Sequence, residues 1–132
     1  MRILTFITLI LINSCVNTQS ISQTGIESIR FGNGGGFTGV VTTYSLTADG
    51  HLNKVDENKN NFIREVDKKT VKDFFEKATE LKSYQFNVPE NVYSFLEIQT
   101  KENKQNITWG FGSTKVDSRA EKLYNELMLL IK

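Results

Sequence analysis

The alternation of apolar and polar residues predicts β-strands between residues 26 and 66. The segment TGVVTTYSLT at 38–47 is rich in β-branched and aromatic residues and gives the clearest strand signal. It places four residues on one face: Val40, Thr42, Tyr44 and Leu46. Shorter segments predict three further strands at Ile26–Phe31, His51–Val55 and Phe62–Val66. The Asp49-Gly50 pair favours a tight hairpin turn, so we expect antiparallel pairing.

Two later segments show the three- and four-residue spacing of amphipathic helices. The first stripe consists of Val71, Phe74, Phe75, Ala78 and Leu81. Its helix begins either at Thr70, which forms a capping box with Asp73, or one turn earlier at Asp67. The second stripe consists of Ala120, Leu123, Tyr124, Leu127 and Ile131, widened by Leu130. Ser118 and Glu121 predict its N-terminal capping box.

A second strand pair is predicted between these helices. Val92–Thr100 and Lys104–Phe111 form a hairpin around Glu102-Asn103, and Ile107, Trp109 and Phe111 share one face. Pro89 lies in the connection before this pair. The pattern therefore predicts an α+β fold: an antiparallel sheet of about five or six strands with two amphipathic helices packed on one face. Residues 26–132 are expected to form this single domain.

The first residues have the pattern of a targeting signal. Arg2 precedes a short apolar run at 3–12, which falls short of the ~20 apolar residues that span a bilayer. Asn13, Ser14 and Cys15 follow this run, and the small residue before the cysteine resembles the lipobox of bacterial lipoproteins. The resemblance implies a signal peptide at 1–14, a lipid on Cys15, and a flexible tether at 15–25. The alternative is a secretory signal that leaves Cys15 as a free thiol.

Composition supports the lipoprotein interpretation and argues against binding to nucleic acid or to an anionic membrane surface. Cys15 is the only cysteine, so it has no disulfide partner in an oxidising compartment. Without Arg2, 15 of the 16 basic side chains remain against 15 acidic ones. This balance leaves no basic patch for nucleic acid or for an anionic membrane surface. The expected membrane contact is therefore the lipid on Cys15.

The stretch FGNGGGFTG at 31–39 holds five of the chain's nine glycines and is the main candidate site. A phosphate-binding loop would continue into a helix and supply a lysine, whereas Gly39 is followed by Val40-Val41 and a predicted strand. A structural reversal clamped to the core by Phe31 and Phe37 fits better. The alternative is an exposed loop that binds a peptide or anion. The candidate binding residues are Gly32, Asn33, Gly34, Gly35, Gly36 and Phe37.

No other residue pattern indicates catalysis or metal binding. His51 is the only histidine and lies beside a predicted turn, without the ligand spacing of a zinc site. Asp56, Glu57 and Glu65 have no demonstrable apolar setting that would make them an acid–base pair. Trp109-Gly110-Phe111-Gly112 predicts either core packing with a bulge or an aromatic binding shelf. We expect no cofactor, no metal and no enzymatic activity, with an envelope hydrolase as the weakest alternative.

From Phe31 to Lys54 the sequence resembles a group of small Bacteroidota lipoproteins that carry a GGGFTG segment followed by a strand and a Gly turn. The resemblance implies one domain and a lipid anchor, and it transfers no catalytic residue. No acidic cluster follows Cys15, which favours the periplasmic face of the outer membrane. The predicted function is a non-enzymatic binding or structural module with an envelope protein or peptide partner. The alternative is a periplasmic inhibitor or immunity-type protein that binds an enzyme or toxin.

Overall fold

The computed structural model describes residues 24–57 and 59–132. The predicted signal peptide at 1–14, Cys15 and most of the predicted tether lie outside the described residues. The elements in chain order are β1 Ile26–Gly35, β2 Thr42–Thr47, β3 His51–Asp56, β4 Lys59–Glu65, α1 Lys68–Thr79, β5 Phe86–Val88, β6 Val92–Thr100, β7 Lys104–Gly110 and α2 Ser118–Leu129.

The described strands form one sheet of seven, in the order β4-β3-β2-β1-β6-β7-β5. Neighbouring strands are antiparallel except β5, which pairs in parallel with β7. The α+β class is confirmed, but the predicted number of five or six strands is wrong. β5 was missed because its three residues are too few to show a periodicity.

The register divides the sheet into two chemically different faces. Ile29 lies opposite Leu46 on β2 and Ile98 on β6, and Phe31 lies opposite Leu96. We call the side carrying these buried residues the core face. The residues that alternate with them along β1 lie on the opposite side, the polar face: Ser28, Arg30, Gly32 and Gly34.

Most of each predicted helical stripe is buried in the core that contains the core-face residues, while Tyr124, Leu130 and Ile131 are partly buried. Val71, Phe74, Phe75 and Ala78 are buried on α1, and Ala120, Leu123 and Leu127 on α2. α1 begins after Asp67, whose carboxylate accepts a hydrogen bond of 3.0 Å from the Thr70 N–H. The predicted cap at Ser118 is wrong, because Asp117 caps α2 by accepting from the Arg119 N–H at 2.9 Å.

Several strand ends differ from the prediction, and β4 begins at Lys59 rather than Phe62. The second strand begins at Thr42 rather than Thr38, and Val40 and Val41 lie before it with exposed side chains. Trp109 is buried with its ring edge-on to Tyr124, at 5.3 Å between ring centroids. Phe111, which was expected to share its face, follows the end of β7 and is 76% exposed. A backbone that leaves the sheet no longer follows the two-residue alternation on which these predictions depended.

Candidate binding surface

The glycine-rich stretch spans the end of β1 and the turn toward β2. Gly32, Asn33, Gly34 and Gly35 lie within β1, and Gly36 and Phe37 lie in the turn. Gly35 and Gly36 have φ angles of 91° and 76°, which favour glycine. The predicted reversal is confirmed, but it begins only at Gly36 because β1 continues through Gly35.

The glycines within β1 are required by close approach of neighbouring groups. A Cβ on Gly32 would overlap the carbonyl oxygen of Thr42 on the adjacent strand. A Cβ on Gly34 would lie 2.6 Å from the Tyr93 hydroxyl oxygen. The oxygen beside Gly32 belongs to the backbone and cannot move without β2, so this position needs glycine for space rather than for a special backbone angle. A Cβ on Gly34 would instead force the end of the Tyr93 side chain to shift.

Two aromatic rings of β6 occupy the space that these glycines leave open. Phe95 lies opposite Gly32 and Tyr93 opposite Gly34, and their ring centroids are 6.5 Å apart. Both rings are only partly buried, so they form an aromatic shelf on the polar face. The sequence carries a signal for this shelf: two glycines and two aromatic residues with the same two-residue spacing on strands that pair.

Phe31 and Phe37 have opposite environments. Phe31 is fully buried, as predicted, and stacks on Tyr44 with 5.7 Å between ring centroids. Phe37 is fully exposed at the tip of the turn, so the prediction that it clamps the turn to the core is wrong. Positive φ angles at Gly36 and Gly39 direct the backbone around the turn, which projects Phe37 away from the sheet.

Phe37 belongs to a group of exposed apolar side chains at the end of the sheet where β1 terminates. We call this group the apolar rim, and its members are Phe37, Val40, Val41, Val88, Val92 and Phe111. Backbone hydrogen bonds join the loops that carry it: the Gly36 N–H donates to the Asn91 carbonyl at 2.7 Å, and the Phe111 N–H donates to the Val92 carbonyl at 2.9 Å. Clustered exposed apolar side chains are typical of an interaction surface.

The geometry does not provide a phosphate site at this stretch. The chain passes from Gly39 into β2, so no helix N-terminus faces the glycines. The Gly39 N–H is used within the turn, where it donates to the Gly36 carbonyl at 3.2 Å. The glycines therefore serve the packing of β1 and the reversal that follows it.

The other candidate residues do not come together in a reactive arrangement. His51 lies at the exposed β2–β3 turn, with its Nδ1 3.3 Å from an Asp49 carboxylate oxygen. The Thr47 hydroxyl donates to Asp49, and this hydrogen bond lowers the pKa of that carboxyl. Asp56 and Glu65 lie at opposite ends of the β3–β4 hairpin. Within residues 24–57 and 59–132, no group of three or more His, Cys, Asp or Glu side chains could hold a metal ion.

The described part of the chain also contains no helix with the length and apolar character needed to cross a membrane. Comparison of the chain with protein-family models gives no match, and comparison with curated proteins gives none either.

Proposed function

We propose that this chain is a lipoprotein of the cell envelope, anchored through Cys15 at the periplasmic face of the outer membrane, and that it acts as a non-enzymatic binding module. The observation that supports binding is the apolar rim, in which Phe37 and Phe111 are 108% and 76% exposed. Burying such side chains against a partner is favourable by about 1.5–3 kcal/mol each. A protein or peptide of the envelope is the partner that this surface fits.

We further infer that α1 and α2 cover the same face of the sheet. Buried side chains of both helices belong to the core that holds Ile29, Phe31 and Leu96 of the core face. The helices also contact each other through Lys77, whose Nζ lies 2.5 Å from a Glu126 carboxylate oxygen. This arrangement leaves the polar face without a covering helix.

The position of the rim fits an anchor at the N-terminus. The described chain enters the sheet at Thr24–Ile26, and the rim lies at the other end of the ten-residue strand β1. At ~3.3 Å per residue, β1 separates the two ends by about 30 Å. A lipid on Cys15 would therefore hold the entry end toward the membrane and present the rim away from it.

The anchor is tested by metabolic labelling with radioactive palmitate. The full-length protein should incorporate label, and Cys15→Ala should abolish incorporation because the Cys15 thiol would carry the diacylglycerol through a thioether. Ser20→Ala, in the predicted tether, is the matched control and should keep the label. Equal labelling of Cys15→Ala and the unmodified chain would contradict the anchor.

The rim is tested by crosslinking and pull-down from envelope extracts. The double variant Phe37→Ser/Phe111→Ser should lose the partner while keeping the thermal stability of the unmodified protein, since both side chains are exposed. Phe62→Ser removes a phenylalanine of β4 that is 63% exposed and lies outside the rim, so it should keep the partner. Full retention by the folded double variant would remove the rim from the interface.

The alternative is an inhibitor or immunity-type protein, which the projection of Phe37 from a tight turn favours because a single protruding side chain can enter an enzyme cleft. This alternative predicts that a captured partner is an enzyme or toxin. Addition of the purified full-length protein should then lower that partner's activity in a Phe37-dependent manner. A partner that keeps its full activity in the complex would exclude this mode of action.

A further inference from the structure

A concave surface lies on the polar face, lined by residues of β1, β2, β3, β4 and β6. It is a cleft of about 570 Å³, within the size range of ligand pockets. Six of its lining residues carry uncharged hydrogen-bonding side chains: Ser28, Thr43, Ser45, Thr47, Asn60 and Gln99. Val41 is shared with the apolar rim, and the rest of the cleft is separate from it.

Ser45 is a buried polar residue at this cleft. It is 7% exposed, and its hydroxyl makes no hydrogen bond to any other described residue. No fully buried side-chain nitrogen or oxygen of the described residues lacks a partner, so the Ser45 hydroxyl must open to the cleft. Thr43 and Gln99 likewise make no side-chain hydrogen bond within the described part of the chain. The cleft therefore offers several donors and acceptors that a ligand can use.

The charges at the cleft are few and balanced. Arg30 lies 3.5 Å from Glu97, which is itself 3.0 Å from Lys104 Nζ. The single contact between Arg30 and Glu97 leaves most of the five guanidinium N–H groups available to a ligand. Glu57 is the acidic residue among the cleft-lining side chains. One cationic and one acidic side chain line the cleft, so it has no net charge that would select a strongly charged ligand.

The aromatic shelf of Tyr93 and Phe95 borders the cleft. Gly32 lies opposite both Thr43 and Phe95, so no side chain separates the Phe95 ring from the Thr43 side of the sheet. At the next position, Tyr93 and Val41 both approach Gly34. An apolar ring face next to a row of hydroxyl and carboxamide groups matches a molecule that has both C–H faces and many hydroxyls.

We propose that this cleft binds a neutral oligosaccharide, with its hydroxyls on Thr43, Ser45 and Gln99 and a sugar face on the Phe95 ring. An extended peptide fits less well, since peptides usually add to a sheet edge, and the backbone groups of β1 and β2 are already paired within the sheet. A nucleic acid would need more positive charge. The proposal depends neither on the lipid nor on the apolar rim.

The test is titration of the full-length protein with cellohexaose and with chitohexaose, followed by NMR shift mapping and calorimetry. Thr43→Val keeps the shape of the side chain and removes its hydroxyl, and it should weaken binding by about 2- to 12-fold, the value of one hydrogen bond. Phe95→Leu should weaken binding by a similar factor through loss of the ring face. Thr114→Val is the matched control, because Thr114 lies in the exposed β7–α2 connection.

The proposal is supported if either hexasaccharide shifts the NMR resonances of Thr43, Ser45 and Gln99. The control variant Thr114→Val should bind that sugar with the affinity of the unmodified protein. An uncharged Ala-Gly hexapeptide serves as the peptide arm. Binding of that peptide at the cleft in place of the sugars would overturn the proposal. So would the absence of shifts at millimolar sugar, or equal affinities of Thr43→Val and the unmodified protein when circular dichroism shows both folded.

Discussion

At the scale of single residues, two kinds of glycine perform different tasks in the same stretch. Gly32 and Gly34 have ordinary strand angles, and a Cβ would meet the Thr42 carbonyl at Gly32 and the end of the Tyr93 side chain at Gly34. Gly39 has a φ of 63° with nothing within 4 Å of a Cβ, so its requirement is conformational alone. The sequence does not distinguish a glycine required for space from one required for its backbone angle. The stretch therefore predicted a reversal beginning at its first glycine.

This difference predicts different costs of substitution. Gly32→Ala should lower the free energy of unfolding by about 1–3 kcal/mol, because the methyl group meets a backbone oxygen that cannot move independently of β2. Gly39→Asn should cost about 0.5 kcal/mol or less, since asparagine tolerates the left-handed region and the site is open. Urea denaturation of both variants measures the difference. Equal losses would contradict the steric assignment of Gly32.

At the scale of elements, an aspartate at the N-cap determines where each helix begins. The Asp67 and Asp117 carboxylates accept hydrogen bonds from N–H groups of the first turn. Hydrogen bonds from the Thr70 side chain and backbone lower the pKa of Asp67. Hydrogen bonds from the Arg119 side chain and backbone lower the pKa of Asp117 to about 2. Ser118, one residue later, lies inside α2 and is exposed.

The Asp117 cap predicts a specific acid dependence. The folded state favours the ionised carboxylate, so its stabilisation is complete above the ordinary pKa of 3.8 and is lost as the pH falls toward about 2. Asp117→Asn keeps a capping oxygen without the charge. Its stability deficit relative to the unmodified protein should therefore shrink between pH 4 and pH 2.

Thermal denaturation at half-unit pH steps measures this deficit. Taking the difference between two proteins removes the contribution of Asp67, which titrates in the same direction in both. Ser118→Ala is the control and should match the unmodified protein at every pH. A deficit of Asp117→Asn that stays constant across the range would contradict the assignment.

At the scale of the whole molecule, the sheet order places β1 at the centre and β4 and β5 at the edges. β1 is paired along both sides, with β2 and β6, and it carries the buried Ile29 and Phe31. All seven residues of β4 are exposed. The order joins strands far apart in sequence, since β1 pairs with β6 across 57 residues at Gly35–Val92 and 74 at Ile26–Thr100.

This order predicts a gradient of amide hydrogen exchange across the sheet. Amides of β1 and β6 should exchange slowest, because opening them requires unfolding of the core, and those of β4 and β5 fastest among the strands. Amide exchange rates measured by NMR on the full-length protein rank the strands. A repeat at a second pH checks that the rates report the structural opening of each strand. Protection of β4 equal to that of β1 would contradict the order.

The sequence by itself determined most of the elements. Two amphipathic stripes, two hairpin turns and the alternation in β2, β3, β6 and β7 are local signals, and local backbone geometry enforces them. The sequence also determined the chemistry available to a partner: balanced charge, one cysteine, and a glycine-rich stretch between two phenylalanines. These properties follow from composition and from residues close together along the chain.

The tertiary structure alone decided which residues meet. Pairing of β1 with β6 placed Phe95 and Tyr93 over the glycines, and convergence of separate loops exposed Phe37, Val92 and Phe111 at one end. The cleft on the polar face depends on five strands in register. Periodicity specifies which side a residue faces but not what lies across from it, since that depends on long-range contacts absent from any short window of sequence.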